Sequence, residues 1–205
     1  MFRLTTFVLL AAAVLTSSSA VAQYGYGGSS RNTPRTYQTV KRTTPSVSLT
    51  KHINTSGQFE ALMPGGTSSV TVEGKTLMDT QWVARGSSQG ANFKLTVQII
   101  SIFELDNDMT TALRDNYVKQ AREQGTKAFG RPAADREVTQ HGMKGREFLY
   151  RIPASRSSSG KAVAFRQRVL FDGQRLYNAT VSGDTDTVTS DSGTKYLSSV
   201  KFRKR

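Results

Sequence analysis

The sequence predicts an α+β fold: a largely antiparallel sheet of about six to eight strands covered by two helices, preceded by a disordered basic linker. Three observations point there. Segments of strand and helix periodicity follow one another as β-β-β-β-α-β-β-β-β-α, which is not the βα alternation of a doubly wound parallel sheet. Several strand segments place an apolar residue at every second position, the period of a sheet with one covered face. The chain has 205 residues, 37% of them hydrophobic, which supplies one core and falls short of a membrane bundle.

Residues 1–22 read as a secretory signal peptide. Arg3 gives the positive start, residues 7–15 the apolar run, and Ala20-Val21-Ala22 the small-x-small pattern for cleavage before Gln23. That run is well short of the roughly 20 apolar residues that cross a bilayer. The leader is therefore expected to be removed, the protein exported to the periplasm or the exterior, and the mature chain to hold no transmembrane segment. The absence of cysteine excludes disulfides, thiolate metal sites and cysteine nucleophiles; an oxidising compartment permits disulfides without requiring them. Residues 23–57 read as the linker. Up to Thr50 it is rich in Gly, Ser, Thr, Tyr and Pro, with Arg31, Arg35, Lys41 and Arg42 and no acid. So few large aliphatic side chains cannot offset the entropy of ordering.

A single folded domain is expected over 58–202. Phe59-Glu60-Ala61-Leu62 forms a short strand ended by the turn Met63-Pro64-Gly65-Gly66. Residues 68–72 and 80–84 read as the next strands, the second holding the one tryptophan, Trp82. In the clearest strand Phe93, Leu95, Val97 and Ile99 alternate with Lys94, Thr96 and Gln98. A helix follows, capped within Asp106-Asn107-Asp108. It carries Met109, Leu113, Tyr117 and Ala121 on one face, and Gly125 is placed to end it. Residues 126–135 read as a loop, 137–140 as a weak strand and His141-Gly142 as a turn. The strand 146–152 shows Phe148, Tyr150 and Ile152 on one face. The strand 162–171 sets Val163, Phe165, Val169 and Phe171 against Arg166 and Arg168, and the Ser-rich stretch 153–161 between the two is an exposed tip. After Asp172-Gly173, the strand 175–182 carries Tyr177, Ala179 and Val181. Residues 185–199 read as a helix weakened by Gly193, Val200-Lys201-Phe202 docks back, and Arg203-Lys204-Arg205 forms a basic tail.

The turn at Asp172-Gly173 decides which residues share a face. An odd-numbered loop aligns Val163, Phe165 and Val169 with Tyr177, Ala179 and Val181, so burial is expected to select it over a two-residue turn. Arg166 and Arg168 would then point outward beside Arg151 and Glu147 as a basic patch. The alternative is a helix laid over that face with the arginine stems packed beneath it.

Read in order, Phe59-x-x-x-Met63-Pro64-Gly65, Gly145-Arg146-Glu147, Arg175-Leu176-Tyr177, Gly183 and the closing Ser199-Val200-Lys201-Phe202 resemble small exported bacterial domains with a PsbP-like fold. That group also holds DcrB-like envelope proteins. The resemblance implies an antiparallel sheet sandwiched between helices over 59–202. It carries over no catalytic residue, and the group's better-known members are accessory or binding proteins.

No enzyme signature stands in its required context in the sequence. Gly86-Ser87-Ser88-Gln89-Gly90 matches the Gly-x-Ser-x-Gly pattern, but it joins two strand segments, whereas a nucleophile elbow joins a strand to a helix. Gly25-x-Gly27-Gly28 lies in the linker with no strand before it, unlike a dinucleotide loop. The two histidines, His52 and His141, are too few for a three-histidine metal site, and His141 reads as a surface imidazole in a turn. Helix capping explains Asp106 and Asp108, with Glu104 nearby, as well as calcium binding does. No catalytic, metal or cofactor-binding residue is expected. What remains is charge: 28 basic residues against 15 acidic give +13, and both ends are purely basic. The expected partner-binding residues are Arg166, Arg168, Arg151, Lys41, Arg42, Arg203, Lys204 and Arg205. Their expected partner is an anionic envelope component, lipid or polymer, or another envelope protein. The reading is an exported, non-enzymatic binding or accessory protein. A hydrolase with an unrecognised site and a basic nucleic-acid binder remain as alternatives.

Overall fold

The computed structural model describes residues 46–73, 80–101, 103 and 105–202. The leader, the linker through residue 45 with Lys41 and Arg42, and the tail Arg203, Lys204 and Arg205 lie outside the described residues. The elements are β1 (Leu49–Asn54), β2 (Phe59–Pro64), β3 (Ser68–Val72), β4 (Gln81–Ser88), β5 (Ala91–Ile99), α1 (Asn107–Phe129), β6 (Ala134–Gln140), β7 (Met143–Ile152), β8 (Val163–Phe171), β9 (Arg175–Asp184), α2 (Thr185–Val188), α3 (Asp191–Ser199) and β10 (Lys201–Phe202). They form a 3-stranded sheet in the order β1-β2-β10 and a 7-stranded sheet in the order β3-β4-β5-β9-β8-β7-β6. Every pairing among them is antiparallel, so the α+β expectation holds.

The register across the large sheet puts Trp82, Leu95, Val97, Tyr177, Ala179 and Leu170 on one face. These side chains are buried against Phe59, Ala61 and Met63 of β2 and Val188, Tyr196 and Leu197 of the last two helices. Each large apolar side chain so buried contributes about 1.5–3 kcal/mol. Tyr196 packs edge-on against Phe93, with ring centroids 5.2 Å apart. Its hydroxyl donates to the Lys94 carbonyl at 2.6 Å, which lets a phenol sit in the core without an unsatisfied polar atom.

On the opposite face α1 rests on β7 and β8. The Phe129 ring lies 5.6 Å from that of Tyr150 and 4.9 Å from that of Phe165. Asp106 caps the helix as the sequence suggests, Oδ1 accepting from the Met109 amide at 2.7 Å. Gly125 does not end it. The helix continues to Phe129 and stops at Gly130, whose φ of 88° suits only glycine. Gly125 instead marks the point of closest approach, where a Cβ would overlap the Tyr150 hydroxyl and stand 2.8 Å from the ring carbon Cε2. In an exposed helix Gly→Ala gains about 1 kcal/mol. Here Gly125→Ala is expected to lower stability by about 1–3 kcal/mol in urea unfolding, because the helix must lift from the sheet. An increase in stability would mean the helix is not seated there.

The folded body begins inside the expected linker. Val47 is buried, its amide donating to Ser192 Oγ at 3.0 Å, and β1 pairs with β2 along its whole length. Only Leu49 and Ile53 of this edge strand are large and apolar, so its periodicity is too weak to read. Gly193 is likewise no breaker. It lies within α3, and the break between the two last helices falls at Ser190, whose Oγ accepts from the Gly193 amide at 3.3 Å.

The β8–β9 register overturns the odd-loop expectation. Phe171 pairs with Leu176, and the Asp172 amide donates to the Arg175 carbonyl at 3.2 Å. Gly173-Gln174 is therefore a two-residue loop, with Gly173 at φ 99° and Asp172 Oδ1 accepting from the amides of Gln174 and Arg175 at 2.9 and 2.6 Å. Phe165 and Tyr177 consequently lie on opposite faces. The physical reason is that β8 is covered on both sides, so burial no longer distinguishes the two registers and the turn chemistry decides.

Candidate functional site

Glu147 on β7 stands opposite Arg168 on β8, and Leu149 opposite Arg166. All three charged residues therefore project from the same face, the one that α3 covers. Glu147 is 4% exposed, Arg166 8% and Arg168 6%. Glu147 Oε1 accepts from Arg166 Nε and Nη2 at 3.2 and 3.0 Å and from Arg136 Nη2 at 2.7 Å; Oε2 accepts from Arg168 Nε at 2.9 Å. The remaining guanidinium donors reach α3 and its surroundings. Arg166 Nη1 donates to Thr194 Oγ1 at 2.9 Å. Arg168 Nη1 donates to the Leu197 carbonyl at 3.2 Å, to Ser198 Oγ at 3.3 Å and to Gln140 Oε1. Gln140 in turn donates to the Val200 carbonyl at 2.6 Å.

This arrangement corrects the outward basic patch. Arg166 and Arg168 do not face solvent; they lie beneath α3, tied to a carboxylate, and hold the C-terminal elements onto the sheet. The even register puts them on the face of Ala179 and Val181 rather than with Asn178 and Thr180. Arg151, on the same face at the end of β7, remains exposed.

Burial pushes the Glu147 carboxyl upward, but the hydrogen bond from Arg168 and the charges of Arg166 and Arg168 outweigh it and hold the group below the ordinary carboxylate range. Glu60 is also held low, by hydrogen bonds from Lys201 and Lys51, whose ammonium groups stand 2.7 and 3.0 Å from its two oxygens. A depressed folded-state value means stability that is present above the unfolded value and lost as pH falls through the folded one. Unfolding free energy is therefore expected to fall most steeply below about pH 4, as read by urea unfolding across pH, with a smaller earlier decline from His52, whose pKa burial lowers. Stability that rose on acidification would contradict this.

The histidines occupy structural positions. His52 Nε2 lies 2.7 Å from Ser69 Oγ, joining β1 to β3, and burial lowers its pKa. His141 is exposed in the β6–β7 turn with φ 50°. The cations that sequence reasoning missed are Lys127, Arg131, Arg156 and Lys161. With Arg151 they gather where the end of α1 meets the β7–β8 connection. Scattered between positions 127 and 161, they form no charge run to notice.

The framework is thus an antiparallel α+β sandwich whose interior arginines are bound by one glutamate. The chain is similar to the solution structure of cyanobacterial PsbP from Synechocystis, with 18% identity over 77% of this chain and 94% of that chain, at a TM-score of 0.46. It is also similar to a crystal structure from Bacteroides thetaiotaomicron, with 12% identity over 76% of this chain and 48% of that chain, at a TM-score of 0.43. No protein-family model and no curated protein matches the sequence. No helix among the described residues is long and apolar enough to cross a membrane.

Proposed function

We propose that the chain is an exported, non-enzymatic binding or accessory protein of the cell envelope that associates with anionic partners through exposed cations. The observation that supports it is where the excess charge lies. Glu147, Asp135, Glu137, Asp115, Glu60 and Asp172 are each engaged in an ion pair. Exposed Lys127, Arg131, Arg151, Arg156 and Lys161 make none among the described residues. Lys41, Arg42, Arg203, Lys204 and Arg205 add basic ends of the same sign. Such a surface attracts polyanions at a distance set by screening, about 8 Å at physiological ionic strength.

The test is binding of the chain beginning at Gln23 to anionic and to neutral vesicles or polymers over a salt series. Affinity for the anionic ones is expected to fall steeply with salt, and the neutral ones to bind weakly or not at all. Removing residues 23–45 together with 203–205 is expected to weaken binding and flatten the salt dependence. The cut stops at 45 because Val47 and β1 belong to the fold. Equal binding to neutral and anionic surfaces would end this reading. Intact mass of exported material is expected to show a chain starting at Gln23, and a retained leader would remove the case for a soluble exported form.

A further inference from the structure

We propose that the end of the domain where α1 meets the β7–β8 connection is the docking surface for a linear phosphate polymer; this rests on the anionic-partner reading above. Lys127 lies in the last turn of α1, and Arg131 follows the helix-ending Gly130. The chain then enters β6 by the Ala133 amide donating to the Leu149 carbonyl at 2.7 Å, which brings Arg131 toward Arg151, two residues further along β7. Arg156, in the single 3-10 turn of the connection (Ala154–Arg156), has its Nη1 3.9 Å from the Cβ position of Gly130. Lys161 precedes Val163, which pairs with Ile152.

All five cations are exposed, and none makes an ion pair among the described residues. The nearest acids along the strands are committed elsewhere. Asp135 pairs with Arg146 and Arg122, and Asp184 caps α2 by accepting from the Asp186 amide at 2.9 Å. Glu123, one turn before Lys127, is the acid that stays near, and the negative end of α1 adds a partial charge that Lys127 answers. The surface keeps a clear positive excess.

The composition of this end selects the partner. Three of the five cations are arginines, whose planar forks match phosphate oxygens, and the connection exposes the hydroxyl-bearing Ser155, Ser158 and Ser159. The exposed large apolar residues Ile53, Val70, Val72, Phe103 and Met109 all lie on other parts of the chain. Among the described residues no exposed large apolar side chain stands here to enter an acyl layer, as membrane docking requires, Ile152 and Val163 being half-buried. The local aromatic, Phe129, is half-buried and packed against Tyr150 and Phe165 rather than standing out as a stacking platform for a nucleic-acid base. A phosphate chain without bases fits what remains.

The test uses inorganic polyphosphate and the full chain from Gln23, with affinity measured across a salt series. Each phosphate neutralised on a flexible single chain adds about −0.7 to the slope of log affinity against log salt. Arg131→Gln/Arg151→Gln/Arg156→Gln is therefore expected to flatten the slope by about 2. A control with the same charge loss, Arg85→Gln/Lys119→Gln/Lys195→Gln, is expected to move it far less. Equal losses in the two variants would overturn the surface while leaving the anionic-partner reading standing. Tighter binding to single-stranded DNA of matched length than to polyphosphate would overturn the choice of partner. Binding to anionic vesicles but not to polyphosphate would defeat this inference alone, and binding to neither would defeat both.

Discussion

Replacing Glu147 with glutamine is expected to lower the unfolding free energy by about 3–5 kcal/mol, the usual cost of leaving buried charge without its partner. The substitution keeps the shape and removes only the charge. Arg166 and Arg168 then stay under α3 with no carboxylate to accept their donors, and Arg136 loses its contact as well. Urea unfolding reads the change directly. The expected loss belongs to the imbalance and not to the net worth of the cluster, and a second variant separates these. Replacing Glu147, Arg166 and Arg168 together with apolar residues of similar volume is expected to restore much of the stability, since buried ion clusters repay little of their desolvation. If Glu147→Gln cost less than about 1 kcal/mol, the range of an exposed pair, the cluster would not be buried as described.

Gly145→Ala is expected to produce the next largest loss, about 3 kcal/mol, at the upper end of the overpacking range. A Cβ at this position would overlap the Val169 carbonyl oxygen and stand 2.9 Å from the Leu170 Cα. Both are backbone atoms of the paired strand and cannot swing aside as a side-chain tip can, so β7 and β8 must separate locally. Because Glu147 lies two residues further along β7, the same displacement loosens its grip on Arg168. Thermal unfolding of the variant beside Gly142→Ala tests this. Gly142 sits at φ 82° in the β6–β7 turn, where a Cβ would meet nothing within 4 Å, so its loss reports turn strain alone. A smaller loss at Gly145 than at Gly142 would contradict the close approach.

The fold is legible in the sequence where one face of a strand is covered and the other is not. The alternation in β5 and the apolar set of β9 place those strands correctly for that reason. Legibility fails at β8, where Phe165 packs under α1 while Leu170 packs in the main core. A strand covered on both faces carries no signal for register. It fails again at Gly125, because a glycine that permits close packing looks in sequence like one that ends a helix. The candidate site is half legible. Alternation groups Arg166, Arg168, Arg151 and Glu147 together, and all four do share a face. Whether that face meets water or a helix depends on where the residues after Asp184 return, which no local pattern contains. The basic end assembled from α1 and the β7–β8 connection is invisible for the same reason: its members are neighbours only after the chain folds.

The domain holds two sets of arginines, one interior and bound by Glu147, the other exposed and free to meet a partner. Proton–nitrogen NMR of the chain from Gln23, recorded while polyphosphate is added at neutral pH, distinguishes them most directly. The Nε–H signals of Arg166 and Arg168 are expected to exchange slowly with water and to stay in place throughout the titration. Backbone amides around Lys127, Arg131, Arg151 and Arg156 are expected to shift progressively. Fast-exchanging Arg166 and Arg168 signals that move on addition of the polymer, with those around Arg131 and Arg156 unmoved, would contradict the division between buried and partner-binding arginines.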